Sequence, residues 1–375
     1  MKICLTINSS PWSVFKGGGQ LAVHHLSCAL SAKGHDVHVL YSKHPEEKIQ
    51  VAVPYQLHWA QHHDFATVNL NIFSYPKVLA PLARKEKFDV IHGNAEEAFG
   101  IGNIAARTKA AYVFTSHAPY IPNTGMLEGM LHPIQFLKSV NTYLLRQAMM
   151  QADRIVAFSQ FSRDLIVKGL GSTEKIEVIP PGIESSWFEV ERNQVDSNRI
   201  LFWGRIEEEK GLPELFVSLK KVTEKFTDLK LTLVGEGNRL QEYKTLVTDL
   251  GLIKNVEFLG WLSDKELQSI AAESRFGIFP SRIESFGLSV VEAMAAGLPV
   301  IAAGGGAVPE NIEEDVTGRL VPVNDPDALT EAIFSLLEDQ QSSENRAKAA
   351  KAAAREKFSW EKTADRMLEL YQSIT

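Results

Sequence analysis

Short runs of consecutive apolar, largely β-branched residues recur along the first half of the chain. They are Lys2 to Asn8, Val37 to Ser42, Val53 to Trp59, Phe88 to His92, Tyr112 to His117, Arg154 to Phe158 and Lys175 to Ile179. They do not alternate polar with apolar, so they suit strands buried on both faces of a parallel sheet. Between them lie stretches of helical periodicity, among them Gln20 to Ala32, closed by Gly34, and a long apolar one from about Glu128 to Ala152. The tandem Pro180-Pro181-Gly182, followed by the polar stretch Glu189 to Asn198, interrupts the pattern. The alternation then restarts with Arg199 to Trp203, Leu229 to Val234, Val256 to Leu259, Phe276 to Phe279, Val300 to Ala303 and Arg319 to Val323. This predicts an α/β protein with two open-sheet domains, residues 1–183 and 184–359, and an amphipathic last helix within 360–375 placed to pack back on the first. Ligands of open sheets bind at the carboxyl ends of the strands, so two such sheets facing each other predict an interdomain cleft.

At 375 residues the chain can bury two cores, and with 45% hydrophobic and 23% charged residues it has the composition of a globular protein. The start, Met1 to Asn8, is too short an apolar run for a signal-peptide core or a membrane span and reads as a first strand, which predicts a cytoplasmic protein. Two cysteines, Cys4 and Cys28, exclude a disulfide framework or a cysteine metal site. A net charge of −7 argues against a nucleic-acid partner. The charge is uneven: residues 1–180 carry 17 Lys and Arg against 13 Asp and Glu, leaving 22 against 33 for the rest. A basic first domain suggests peripheral contact with an anionic membrane or acceptor, with Met126, Leu127, Met130, Leu131, Ile134, Phe136 and Leu137 adding apolar contact. Packing of that helix on its own sheet is the commoner arrangement.

Chemistry concentrates at strand ends. In Ser281-Arg-Ile-Glu-Ser-Phe-Gly-Leu-Ser-Val-Val-Glu292 a strand runs into a loop carrying Glu284, and a helix begins near Gly287 with Glu292 inside it. Eight residues at a helical rise would separate the carboxylates by ~12 Å. That is well beyond the ~5 Å of a glycosidase nucleophile and acid. It suits one carboxylate on a sugar and the other on the ribose of one ligand. The amides of Phe286, Gly287 and Leu288 fall at the helix start, where unpaired donors and the positive dipole end face outward. A second cluster, Gly204 to Gly211, follows a strand and brings Arg205 and Lys210, two fixed cations for a departing diphosphate. Gly17, Gly18 and Gly19 precede a helix and offer backbone amides to phosphate. His117 ends a strand of the first domain. Gly235-Glu-Gly237 is half of a dinucleotide fingerprint, with Leu240 where the third glycine belongs, and lines the nucleotide side.

These segments, in this order and over nearly the whole chain, resemble family 4 of the retaining glycosyltransferases, whose GT-B fold has two facing Rossmann-like domains. The most specific part is Glu284 and Glu292 with seven residues between them and Phe286-Gly287 after the first. The resemblance implies that Arg205 and Lys210 hold the diphosphate of a nucleotide sugar, Glu292 the ribose, and Glu284 with the Phe286 to Leu288 backbone the sugar. His117 then steadies the transition state. It further implies no metal, no cofactor, and a hexosyl transfer to a saccharide or lipid-linked acceptor, as in polysaccharide or glycoconjugate biosynthesis. UDP-glucose is the first choice of donor; GDP-mannose and UDP-N-acetylglucosamine stay open. So do two other readings, a non-catalytic sugar-nucleotide sensor and an epimerase. Asn94 stands where many relatives carry a second histidine. Asp325-Pro-Asp327 spells a metal signature of the other glycosyltransferase fold, and here is read as a helix cap.

Overall fold

In a computed structural model of the chain, which describes residues 1–13, 17–62, 64–65, 68–69, 71–117, 133–172, 174–192 and 195–375, each apolar run becomes a strand. The chain divides into two compact units: Met1–Gly182 with Trp360–Thr375, and Ile183–Ser359. The first holds β1 (Lys2–Ile7), β2 (Asp36–Lys43), β3 (Gln56–Gln61), a small hairpin of β4 (Asp64–Phe65) and β5 (Val68–Asn69), then β6 (Val90–Gly93), β7 (Ala111–Ser116), β8 (Arg154–Ala157) and β9 (Ile176–Val178). Apart from the hairpin these form one parallel sheet in the order β3-β2-β1-β6-β7-β8-β9. The second holds β10 (Asp196–Trp203), β11 (Lys230–Val234), β12 (Val256–Gly260), β13 (Ser274–Phe279), β14 (Val300–Ala303) and β15 (Arg319–Val321). Its order is β12-β11-β10-β13-β14-β15, again parallel throughout. In each sheet the order reverses beside its first strand. The carboxyl ends of the two strands at that point are where open sheets of this kind bind their ligands.

Both faces of the first sheet are covered. Ile3, Leu5 and Ile7 of β1 pack with Val23, Leu26 and Leu30 of the helix Gly18–Ala32, while Cys4 points to the other face with Tyr75, Leu79 and Ala83 of the helix Asn71–Glu86. The helix Trp360–Gln372 closes the first face through Ala364, Met367, Leu368 and Tyr371. Each large aliphatic side chain so enclosed contributes about 1.5–3 kcal/mol. In the second unit Ala347, Ala350 and Ala354 are the buried stripe of the helix Gln340–Lys357, and their small side chains let it close on the helix Leu288–Ala296. Asp325 caps the helix Pro326–Glu338, accepting from the amides of Asp327 and Ala328 at 3.1 and 2.9 Å.

One expectation needs correction, one helix carries no clear sign in the sequence, and one expected helix start falls outside the described residues. The third strand lies at Gln56–Gln61 rather than Val53 to Trp59; it is a partly exposed edge, where an apolar run is a weak guide. The helix Asn71–Glu86 was not foreseen because it contains Pro76 and Pro81. It forms because Tyr75, Leu79 and Ala83, at helical spacing, are fully buried, and that packing outweighs the lost backbone bonds. The long apolar helix spans Pro133–Gln151, and its expected start, with Met126, Leu127, Met130 and Leu131, lies outside the described residues. Among the described residues no helix is long and apolar enough to cross a membrane.

All 11 histidines fall in the first unit. His92 is buried between the Tyr371 hydroxyl, 2.6 Å from Nδ1, and Thr115 Oγ1, 2.6 Å from Nε2, and burial lowers its pKa to about 3. His25 stacks on Trp360 at 5.6 Å, and burial lowers its pKa to about 4. Neither ring accepts a proton readily in the folded state, whereas the unfolded chain takes one near pH 6.5. The stability that these two rings contribute is therefore full above pH 6.5 and is lost progressively as the pH falls towards 4 and then 3. Hydrogen exchange corrected for intrinsic rates should show peptides of residues 1–182 losing protection before those of 183–359 on acidification. The opposite order would contradict this account.

Candidate active site

In the second unit the strand order reverses between β10 and β13, and the loops that follow these two strands meet. The loop after β10 forms a tight turn, Glu208–Lys210, and is pressed against the loop after β13. A side chain on Gly211 would put its Cβ 2.0 Å from the Pro280 carbonyl oxygen, at a φ of +65° that favours glycine. The Arg282 amide donates to the Glu209 carbonyl at 2.7 Å and joins the two loops. The same turn delivers Lys210, whose Nζ donates to Glu284 Oε1 at 2.6 Å. Both side chains are mostly enclosed, 14% and 20% exposed, so water screens the pair weakly. Arg205 is 74% exposed and touches Glu209 at 3.4 Å, a cation placed to move onto a ligand.

Glu284 sits in the loop rather than in a helix, so the helical rise does not measure its distance from Glu292. Two glycines hold that loop from behind: a Cβ on Gly305 would meet the Ser281 carbonyl at 2.4 Å, and one on Gly306 the Glu284 carbonyl at 2.2 Å. The Ala307 amide donates to the Glu284 carbonyl at 2.9 Å. Phe286 is buried, and Asn311 donates to its carbonyl. Gly287, at φ +87°, begins the helix Leu288–Ala296, and the Val291 amide makes the first bond back to it at 3.2 Å. The amide of Leu288 and those just after it therefore point out of the helix end. Within the helix Glu292 accepts from the Trp203 indole N–H at 2.8 Å. Burial raises the Glu292 carboxyl to about 7, opposed by that hydrogen bond and reinforced by Asp264 and Glu184. Gly235 lies where the turn after β11 meets the turn after β10. Its amide donates to the Gly260 carbonyl at 2.7 Å, and its Cβ would lie 1.9 Å from the Gly204 carbonyl, so it lets two turns meet beside Arg205.

The first unit brings together Gly17–Gly19 and His117. Gly17 receives the Gln20 side chain on its amide at 3.0 Å, and Gln20 Nε2 in turn donates to the Asn8 carbonyl at 2.9 Å, at the end of β1. Gly19 backs onto the imidazole, so close that a Cβ there would lie 3.3 Å from His117 Cγ. Asn94, just past β6, donates through Nδ2 to the carbonyls of Thr6 and His92 at 3.0 and 3.2 Å. That fixes its amide orientation, so Oδ1 must accept from His117 Nε2 at 2.8 Å. His117 is therefore the Nε2–H tautomer with Nδ1 as acceptor, and burial lowers its pKa to about 4. Asn94 thus orients the histidine, a role that only the folded arrangement of β6 and β7 reveals. The expected site residues fall in two groups, Gly17–Gly19 with His117 in one unit and Arg205, Lys210, Glu284, Phe286, Gly287, Leu288 and Glu292 in the other. The sequence marks Asn94 only as a departure from the family pattern; it gives no sign of Trp203, and of Gly305 and Gly306 only the Gly304–Gly306 triplet after β14. Among the described residues no group of three or more His, Cys, Asp or Glu is placed to hold a metal ion.

Two reversed parallel sheets with these strand-end constellations define a glycosyltransferase of the GT-B class. Comparison with known proteins agrees. Residues 16–187 match the family model described as Glycosyltransferase Family 4, and residues 184–355 the one described as Glycosyl transferases group 1. The chain belongs to glycosyltransferase family 4. It is 26% identical to an uncharacterised glycosyltransferase of Methanocaldococcus jannaschii over 94% of each chain. It is also 26% identical to the glycogen synthase of Mycobacterium tuberculosis, over 99% of this chain and 94% of the other. In fold it is similar to sucrose-phosphate synthase from Thermosynechococcus elongatus, with a TM-score of 0.81 at 21% identity over 99% and 98% of the two chains. It is likewise similar to the Anabaena HepE protein in complex with UDP and glucose, with a TM-score of 0.77 at 21% identity over all of both chains.

The Asn94 contact is open to a direct test. Replacing Asn94 by Asp sets a carboxylate against the imidazole and should raise the His117 pKa above its present value of about 4, by roughly 1–3 units. Titration of the His117 ring protons by NMR reads this; an unmoved pKa would mean that Asn94 does not face the ring in solution.

Proposed function

We propose that this glycosyltransferase moves a hexosyl group, with retention at the anomeric carbon, from a nucleoside diphosphate sugar to a saccharide or lipid-linked acceptor. The observation that carries the reading is the Lys210–Glu284 pair, 2.6 Å apart and mostly enclosed, at the switch point of the second sheet. A cation for a diphosphate and a carboxylate for sugar hydroxyls stand side by side there, as one ligand would need them. Glu292, further along the adjoining helix, takes the ribose. In this reading the bond from the anomeric carbon to the β-phosphate oxygen breaks, and its electrons go to that oxygen, where Lys210 and Arg205 offset the charge. The acceptor hydroxyl attacks from the same face and gives its proton to the departing phosphate. His117, neutral and held by Asn94, steadies the transition state. Because two side-chain cations neutralise the leaving group, the reaction requires neither metal nor cofactor.

UDP-glucose is our first choice of donor, in polysaccharide or glycoconjugate synthesis. Support comes from the HepE complex with UDP and glucose and from the similarity to a glycogen synthase. A cytoplasmic location, with peripheral contact to an anionic membrane through the basic first unit, belongs to the same proposal. Donor turnover should be measured in the presence of a chelator with UDP-glucose, GDP-mannose and UDP-N-acetylglucosamine. Activity should persist and favour UDP-glucose. Lys210→Ala should lower kcat by more than about tenfold, since one preorganised donor to developing charge is worth roughly 10²–10³ in rate. Activity lost to chelation and restored by a divalent ion, or a fully active Lys210→Ala, would sink the mechanism.

A further inference from the structure

Trp203 ends β10, one residue before the turn that carries Arg205 and Lys210. Its ring is only 5% exposed and is held on two sides. Trp187 stacks on it at 5.6 Å and 7° between planes, and Phe279 of β13 meets it edge-on at 4.7 Å and 86°. An indole so fixed has one polar atom to satisfy, and its N–H donates to Glu292 Oε2 at 2.8 Å. The other carboxylate oxygen, Oε1, makes no hydrogen bond with the described residues, and Oε2 retains a lone pair.

We propose that Trp203 is a positioning residue for the donor: clamped between Trp187 and Phe279, its N–H sets the plane of the Glu292 carboxylate so that it meets both ribose hydroxyls. A free glutamate on a helix samples several rotamers, and ordering it on binding costs affinity. Here the side chain is ordered beforehand by a residue on a different element, the last of the central strand. The N–H has a second effect, since it favours the ionised carboxylate. Three groups act on Glu292: Trp203 lowers its pKa, whereas Asp264 and Glu184 raise it. Without the indole N–H the two acids and burial act unopposed. The carboxylate then protonates at higher pH and ceases to accept from one hydroxyl.

This inference rests on the nucleotide-sugar reading, and the test separates the two. Calorimetry compares UDP with 2′,3′-dideoxy-UDP on the wild type and on Trp203→Phe, which keeps a ring between Trp187 and Phe279 and loses the donor. The wild type should prefer UDP by about 30-fold or more, the worth of hydrogen bonds to a charged group. Trp203→Phe should bind UDP about tenfold more weakly and bind the dideoxy analogue nearly as the wild type does, so that the preference collapses. Its UDP affinity should also fall away at higher pH than that of the wild type. If Trp203→Phe does not fold, as judged by circular dichroism, Trp203→Tyr takes its place. An undiminished preference for UDP in the folded variant overturns the role of Trp203 and leaves the donor reading intact. Failure of the wild type to bind UDP, GDP or ADP overturns the donor reading, and with it this inference.

Discussion

The candidate site of the second unit depends on one close approach of backbone to backbone, the seam where the turn after β10 meets the loop after β13. Gly211 lies against the Pro280 carbonyl at a distance that admits no side chain, and the Arg282 amide bonds the Glu209 carbonyl across the gap. Reversal of strand order at β10 would otherwise let these loops diverge. The seam brings them together. Lys210 and Glu284 then come from opposite sides of the seam and meet at 2.6 Å. Glycines continue the construction: Gly235 against Gly204, Gly305 against Ser281, and Gly306 against Glu284. A backbone held from several sides places side chains more narrowly than a mobile loop can.

Each unit has one buried titratable side chain at its candidate site, His117 in the first and Glu292 in the second. Burial acts in opposite directions on the two kinds of group: it lowers His117 to about 4 and raises Glu292 to about 7. Each is steadied by one neutral partner, Asn94 for the histidine and Trp203 for the glutamate. Neutral partners suit both tasks. A carboxylate beside His117 would favour the imidazolium, and a cation beside Glu292 would hold its carboxylate in an ion pair. The charged contact is between Lys210 and Glu284.

The first and second units share the same sheet logic but fill it differently. The first borrows its closing helix from the end of the chain, so that Tyr371 hydrogen-bonds His92 across 279 residues of sequence. Its helix Asn71–Glu86 keeps two prolines because three buried side chains on one face outweigh them. The second unit closes its helices on alanines, Ala347, Ala350 and Ala354, where larger residues would hold them apart.

The sequence by itself determined the class of fold, the break near Gly182, and the segments that hold Arg205, Lys210, Glu284 and Glu292. These are local signals: a buried parallel strand is a run of apolar residues, a break is proline and glycine, and a helix start with a glycine before it is visible in a few letters. Only the tertiary structure decided that Lys210 meets Glu284, that Trp203 holds Glu292 and that Asn94 orients His117. Each of these pairs joins residues far apart in the chain, 74, 89 and 23 positions respectively. The order in which strands enter a parallel sheet sets which loops become neighbours, and no periodicity along the chain encodes that order. The same holds for the glycines at the seam. A glycine reads as a turn wherever it stands, and its need to lack a side chain becomes visible only when the opposing carbonyl is in place.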